Sequence, residues 1–213
     1  EIVDQVALID RQSKEYFDRP LTNIVFMGMG EPMMNYKNVV EAIHKITKPE
    51  GLGMSPRRIT VSTSGIPKMI KMLADEEIKV KLALSLHSAI EHKRNDIMPF
   101  SEKFPLTDIM DSLQYWYQKT GSPITFEYCV WKGINDGDDD IKALIRYCRQ
   151  VPSKVNLIQY NPIGEGKFDH RSISAEEKYV RELEKAGITI MVRKSRGGDI
   201  DAACGQLANK TAE

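Results

Sequence analysis

Cysteine is scarce in this chain of 213 residues: Cys129, Cys148 and Cys204 are its only three. They are far apart and form no paired motif, which excludes a disulfide framework and points to a reducing cytoplasm. An excess of charge of either sign is also missing. Thirty basic residues balance thirty acidic ones, for a formal net charge of zero. A generic nucleic-acid binder is usually basic overall, so only a local basic patch remains open. No apolar run approaches the length that crosses a bilayer, and no secretory leader, internal repeat or low-complexity segment is visible. Several catalytic patterns are absent too. There is no close acid pair for glycoside hydrolysis, no metal-ligand spacing of His and Cys, and no lysine after a phosphate-cradling glycine run.

The pattern that is present is strand, turn, helix, repeated. Ile24-Val-Phe-Met27 is an apolar run of the kind that makes a buried strand. Gly28 and Gly30 follow, then Glu31 and Pro32, and Val39, Val40, Ile43 and Ile46 recur at helical spacing. Further strands are expected at 58–64, 80–86, 124–131, 155–160 and 188–192. Between them lie helices with apolar stripes: Met69 to Leu73 after Pro67; Ile109, Met110, Leu113, Trp116 and Tyr117 capped by Thr107; Ile141, Leu144, Ile145 and Cys148; and Val180 and Leu183 behind the capping box Ser174-x-x-Glu177. Asp138 to Asp140 suit a helix N-terminus. Residues 88–106 read as a polar loop. Residues 2–17 form an amphipathic helix with Ile2, Val3, Val6, Ile9 and Phe17 inward and no cap ahead of it. Six strands alternating with helices make an α/β fold of parallel βαβ units, either a full or partial TIM-type barrel or a doubly wound open sheet.

In such folds functional residues gather just after the strands. Those positions hold Gly28, Gly30, Glu31, Ser62, Thr63, Ser64, Ser85, His87, Trp131, Lys132, Asn161 and Pro162, and a tail from Arg196 to Cys204. Hydroxyls, amides and glycines suit a polar organic cofactor that carries the hard chemistry. Singly these residues also have plain structural readings: turn glycines, a cap acid at Glu31, a satisfied loop histidine at His87. Cys129 and Cys148 read as small core residues. Lys132 is the lysine at a strand end, but its hydrophilic surroundings argue against a Schiff-base aldolase. Arg193, Lys194 and Arg196 suit phosphate contacts, whereas Arg57 and Arg58 precede a strand, away from the site.

Five pieces in order, Gly28-Met-Gly-Glu-Pro32, Ser62 within Val-Ser-Thr-Ser-Gly, Ser85-Leu-His87, Asn161-Pro162 and Asp199-Ile-Asp-Ala-Ala-Cys-Gly-Gln-Leu207, resemble the radical S-adenosylmethionine RNA methylases of the RlmN and Cfr groups. The resemblance covers the whole chain. It implies a partial barrel of the radical SAM kind and methylation of adenine in 23S rRNA and transfer RNA, at C2 in the RlmN group and at C8 in the Cfr group. It implies that Gly30 and Glu31 bind the amino end of S-adenosylmethionine and Ser62 lies near its carboxylate. Ser85, Leu86, His87 and Asn161 would line its sugar and base. Cys204 would be the catalytic cysteine that carries the methyl group. The resemblance further implies a 4Fe–4S cluster in the full-length enzyme and an electron donor such as flavodoxin or ferredoxin. The cluster's C-x-x-x-C-x-x-C motif is absent from this chain, so no metal ligand is assigned here. The expectation is that residues 1–213 are a radical SAM core cut at its N-terminus, without the first strand and cluster loop and inactive alone. Residues 196–205 are expected to be mobile. The alternative class is a non-catalytic barrel that binds RNA or a nucleotide.

Overall fold

In the computed structural model, which describes residues 1–28, 30–158 and 173–193, six strands form one sheet. They are β1 (Ile24–Phe26), β2 (Ile59–Thr63), β3 (Lys81–Ser85), β4 (Ile124–Cys129), β5 (Ser153–Ile158) and β6 (Thr189–Arg193). Every neighbouring pair is parallel, and the spatial order is the chain order. That order decides between the two expected architectures. A doubly wound sheet needs a reversal of strand order. With none, right-handed crossovers put every connecting helix on the same side. The sheet is therefore wound as a barrel is, but β1 and β6 do not pair, so it stays open.

The helices are α1 (Ile2–Phe17), α2 (Tyr36–Thr47), α3 (Pro67–Asp75), α4 (Glu91–Ile97), α5 (Leu106–Thr120), α6 (Asp138–Cys148) and α7 (Ile173–Lys185). Strand alternation gives the sheet two unlike faces. Ile59, Val61, Leu82, Leu84, Ile124, Phe126, Tyr128, Val155 and Leu157 are buried in one apolar core with side chains of the helices. Phe126 meets Tyr147 of α6 at 5.6 Å between ring centroids, and Tyr128 meets Tyr179 of α7 at 5.4 Å. Most of the alternate positions are polar. Ser62, Ala83, Thr125 and Lys154 make one cross-strand row, and Ser85, Glu127, Asn156 and Met191 make the next. Among the described residues no helix is long and apolar enough to cross a membrane.

Several local expectations need correction. β1 is an edge strand with Val25 exposed and Ile24 and Phe26 only half-buried. Residues 88–106 are not a loop, because α4 and a 3-10 turn (Pro99–Lys103) occupy most of them. Thr107 does not cap α5. The N-cap is Pro105, and the free N–H of Leu106 is taken by Glu91 Oε2 of α4 at 2.9 Å. Ser174 lies inside α7, one residue after Ile173. In α1, Ile2 and Val6 pack on the core, but Ile9 and Phe17 are exposed. The helix instead buries Asp10, which accepts the N–H of Leu21 at 2.9 Å and pairs with Lys14 at 2.6 Å. Cys129 and Cys148 are buried as read. Burial pushes the Cys148 thiol up to about 12, as befits an inert core residue.

The turn from β2 into α3 leaves no room for a side chain. Gly65 has φ +99°, and a Cβ there would stand 2.8 Å from Ile109 Cδ1 and 3.0 Å from Leu84 Cδ1. Gly65→Ala therefore combines backbone strain with overpacking, and a loss of about 1–3 kcal/mol is expected. Urea unfolding followed by circular dichroism checks this; an unchanged midpoint would contradict it.

Candidate functional site

The carboxyl ends of the first three strands are tied together by side chains. Glu31 follows β1 and Gly30, whose φ of +75° turns the chain. Its Oε1 accepts the N–H of Met33 at 3.0 Å, capping the 3-10 turn Pro32–Asn35. Its Oε2 accepts both the N–H and the hydroxyl of Ser64, each at 2.7 Å. So the cap reading of Glu31 is realised, and the same carboxylate also joins the ends of β1 and β2. An ionised carboxylate has about four lone-pair sites. Three are used among the described residues, which leaves one there for a further donor.

Ser62 is buried on the polar face of β2, and Ser85 is half-buried on the same face of β3. Leu86 points the other way: its side chain is fully buried in the core. Its part is to anchor the turn that carries its neighbours. Backbone N–H groups of Leu86 and His87 donate to Glu127 O.

His87 sits at φ +55°, a left-handed conformation unusual for a residue with a side chain. Asn135, fully buried, holds it there. Asn135 Nδ2 donates to His87 O at 2.6 Å and to Cys129 O at 2.8 Å, while Oδ1 accepts from Trp131 N–H at 2.7 Å. His87 Nδ1 accepts the N–H of Cys129 at 3.1 Å. The ring must therefore carry its proton on Nε2, which makes Nε2 a donor. Burial, and then the charge of Arg94, lower the imidazole pKa to about 4.

Arg94, from α4, is fully buried. Its Nη2 donates to the carbonyl of Ser64 and, at 3.4 Å, to that of Ser85. Nε and Nη1 have no partner among the described residues. On the polar sheet face, Glu127 Oε1 accepts from Asn156 Nδ2 at 2.9 Å, and burial raises the Glu127 carboxyl. Arg193, at the end of β6, reaches Met27 Sδ beyond β1 at 3.7 Å, so the two open edges approach each other at this end.

Gly30, Glu31, Ser62, Ser85 and His87 thus share one edge of the sheet. Asn161 and Cys204, with Pro162, Lys194 and Arg196, lie outside the described residues, as does the segment 196–205. Reading the sequence missed Arg94, Asn135 and Glu127. Glu127 alone left a signal, as an acid amid an apolar strand. Among the described residues no group of His, Cys, Asp and Glu could hold a metal ion, and buried Cys129 and Cys148 do not fit a 4Fe–4S cluster. A surface groove lined by His44, Arg57, Glu76 and Lys79 holds none of the candidate residues.

The neutral His87 has a consequence for stability. The unfolded chain protonates this imidazole below about pH 6.5, the folded chain only below about 4. Its contribution is therefore complete above pH 6.5 and is lost as pH falls towards 4, by at most about 1.4 kcal/mol per unit. His87→Asn, which tolerates the left-handed backbone, is expected to flatten the fall in urea midpoint between pH 6.5 and 4. An unchanged slope would mean that His87 is accessible to protons in the folded chain.

No family model matches the chain. Over 212 residues it is 65% identical to the probable dual-specificity RNA methyltransferase RlmN of Christiangramia forsetii, a match covering 100% of this chain and 60% of that protein. The probable RlmN of Flavobacterium psychrophilum is 63% identical over 99% of this chain and 60% of its own. The crystal structure of a radical SAM methyltransferase from Sphaerobacter thermophilus superposes with a TM-score of 0.92 at 39% identity, covering 96% of this chain and 60% of that one. The chain thus spans about 60% of the length of the curated relatives it matches. Such identity along its whole length, on the fold of a radical SAM methyltransferase, makes it an RlmN-type segment of the radical SAM methyltransferase family.

Proposed function

We propose that this chain carries the S-adenosylmethionine site of an RNA methyltransferase that modifies C2 of adenine in 23S rRNA and transfer RNA. The observation that carries the reading is the meeting of Glu31, Ser62, Ser85 and His87 at one sheet edge. Each has a chemistry that suits one part of the cofactor. The lone pair left on Glu31 takes an ammonium donor, with Gly30 keeping the approach free of a side chain. The hydroxyl of Ser62 donates to a carboxylate. Ser85 and the Nε2–H of neutral His87 face sugar hydroxyls and ring nitrogens. Leu86 acts from beneath, by fixing the turn, and Asn161 is assigned to the same site on its motif. The bound cofactor supplies the methyl group and the one-electron chemistry that an unactivated purine carbon requires.

Cys204 is the residue proposed to carry the methyl group. A thioether suits that task, because it holds a carbon covalently while the base is positioned. Residues 1–213 then form part of a radical SAM core, working in the cytoplasm with RNA and an electron donor of the flavodoxin or ferredoxin kind. Since the described residues do not fit a cluster, no step is assigned to one here. The relatives' names favour RNA methylation over a non-catalytic barrel.

The test is a peptide mass on the full-length protein from its own cells. Trypsin cleaves after Arg196 and Lys210, releasing Gly197 to Lys210 with Cys204 inside. A peptide heavier by one methyl-for-hydrogen replacement, localised to Cys204, is expected. An unmodified Cys204 in protein that methylates RNA would remove the carrier role.

A further inference from the structure

Arg94 is a costly residue to keep. A guanidinium with no exposed surface has lost its water, and such a charge is tolerated when paired. No carboxylate forms an ion pair with it among the described residues. Glu91, the acid close enough to act on its charge, gives an oxygen to Leu106 N–H instead. Two of its nitrogens are unpartnered among the described residues. An apolar side chain of similar volume would fill the space more cheaply. The helix that delivers it is fastened on both sides: Lys93 pairs with Asp140 at the start of α6 at 2.8 Å, and Asn95 accepts the hydroxyl of Ser101 at 2.6 Å. What the guanidinium does with this placement is hold two carbonyls, those of Ser64 and Ser85, at the ends of adjacent strands.

We infer that Arg94 is a positioning residue of the cofactor site, acting through Ser64 on Glu31 and through Ser85 on the turn that carries His87. The inference rests on the proposed cofactor reading. Ser64 faces two ways. Its carbonyl is fixed by Arg94, and its N–H and hydroxyl grip Glu31. A change at Arg94 therefore moves the carboxylate that takes the cofactor's ammonium, although Arg94 itself touches no ligand. The same cation faces His87, with Tyr147 and Glu91 as its other charged or titratable neighbours, and favours a neutral imidazole that donates from Nε2. One side chain thus sets both the acceptor end and the donor end of the site.

The test uses the full-length protein and S-adenosylmethionine itself, with binding followed by calorimetry. Arg94→Met keeps the volume and removes both the fork and the charge. It is expected to keep the fold, to weaken cofactor binding at least tenfold, and to raise the His87 pKa seen by NMR. Glu31→Gln is expected to weaken binding as well, and the double variant to bind no worse than the weaker single variant, since the two act through one contact. Wild-type affinity in Arg94→Met beside a loss in Glu31→Gln would overturn the positioning role and leave the site reading standing. Wild-type affinity in both, or no binding by the unaltered protein, would overturn the site reading and this inference with it. Should Arg94→Met not fold, Arg94→Lys supplies the comparison. It keeps the charge without the fork, so the same loss of affinity is expected with the His87 pKa unmoved, and undiminished affinity would overturn the role.

Discussion

Glu31 and Ser64 meet at 2.7 Å through two hydrogen bonds, and the architecture of this edge depends on that meeting. In a parallel sheet each strand ends in its own loop, and backbone pairing stops there. Something else must fix the loops relative to one another. Here a carboxylate from the β1 loop grips the β2 end, a guanidinium from α4 grips the β2 and β3 ends, and buried Asn135 grips the turn after β3 and the end of β4. Four strand ends become one rigid surface through charged and amide side chains. Charge-assisted hydrogen bonds of this kind are short and directional, which is what a binding surface needs.

The two sheet faces divide the work. The helix-covered face holds Leu82, Leu84, Phe126, Tyr128 and Leu157, whose burial drives folding. The opposite face spends stability on polarity: Glu127 is buried there with one oxygen unpartnered among the described residues. At the strand ends Arg94, reaching in from α4, is likewise buried without a counter-ion among them. Proteins break local rules of this kind mainly where function requires it. The left-handed backbone of His87 belongs to the same class, because strain persists where surrounding contacts over-determine it.

The strands were legible because their signal is strong and local. Five-residue runs such as Ile59–Thr63 and Lys81–Ser85, rich in β-branched or leucine residues and stopped by Gly65 or His87, have no competing helical period. Chain order and the absence of a reversal needed the structure, since alternating strands and helices fit a barrel and a doubly wound sheet alike. α4 was illegible for a physical reason. Glu-His-Lys-Arg-Asn-Asp-Ile has no apolar stripe; its inward residue is Arg94, and its fastenings are Glu91 and Lys93, whose partners lie elsewhere in the chain. The Thr107 cap failed because the helix already starts at Leu106, whose N–H is held by Glu91, 15 residues earlier in the chain. Of the site, the motif residues Gly30, Glu31, Ser62, Ser85 and His87 could be found by their places after strands. The residues that hold them, Arg94 and Asn135, could not, since a positioning role leaves no trace in local pattern.

The central claim is that this edge of the sheet receives S-adenosylmethionine. The most direct measurement is a titration of the isotopically labelled chain with that cofactor, read from backbone amide NMR shifts. Changes concentrated at residues 30–31, 62–64 and 85–87, and absent from the groove around His44 and Arg57, are the expected result. Saturable binding that shifts the His44 and Arg57 region and leaves Ser64 and His87 unmoved would contradict the account.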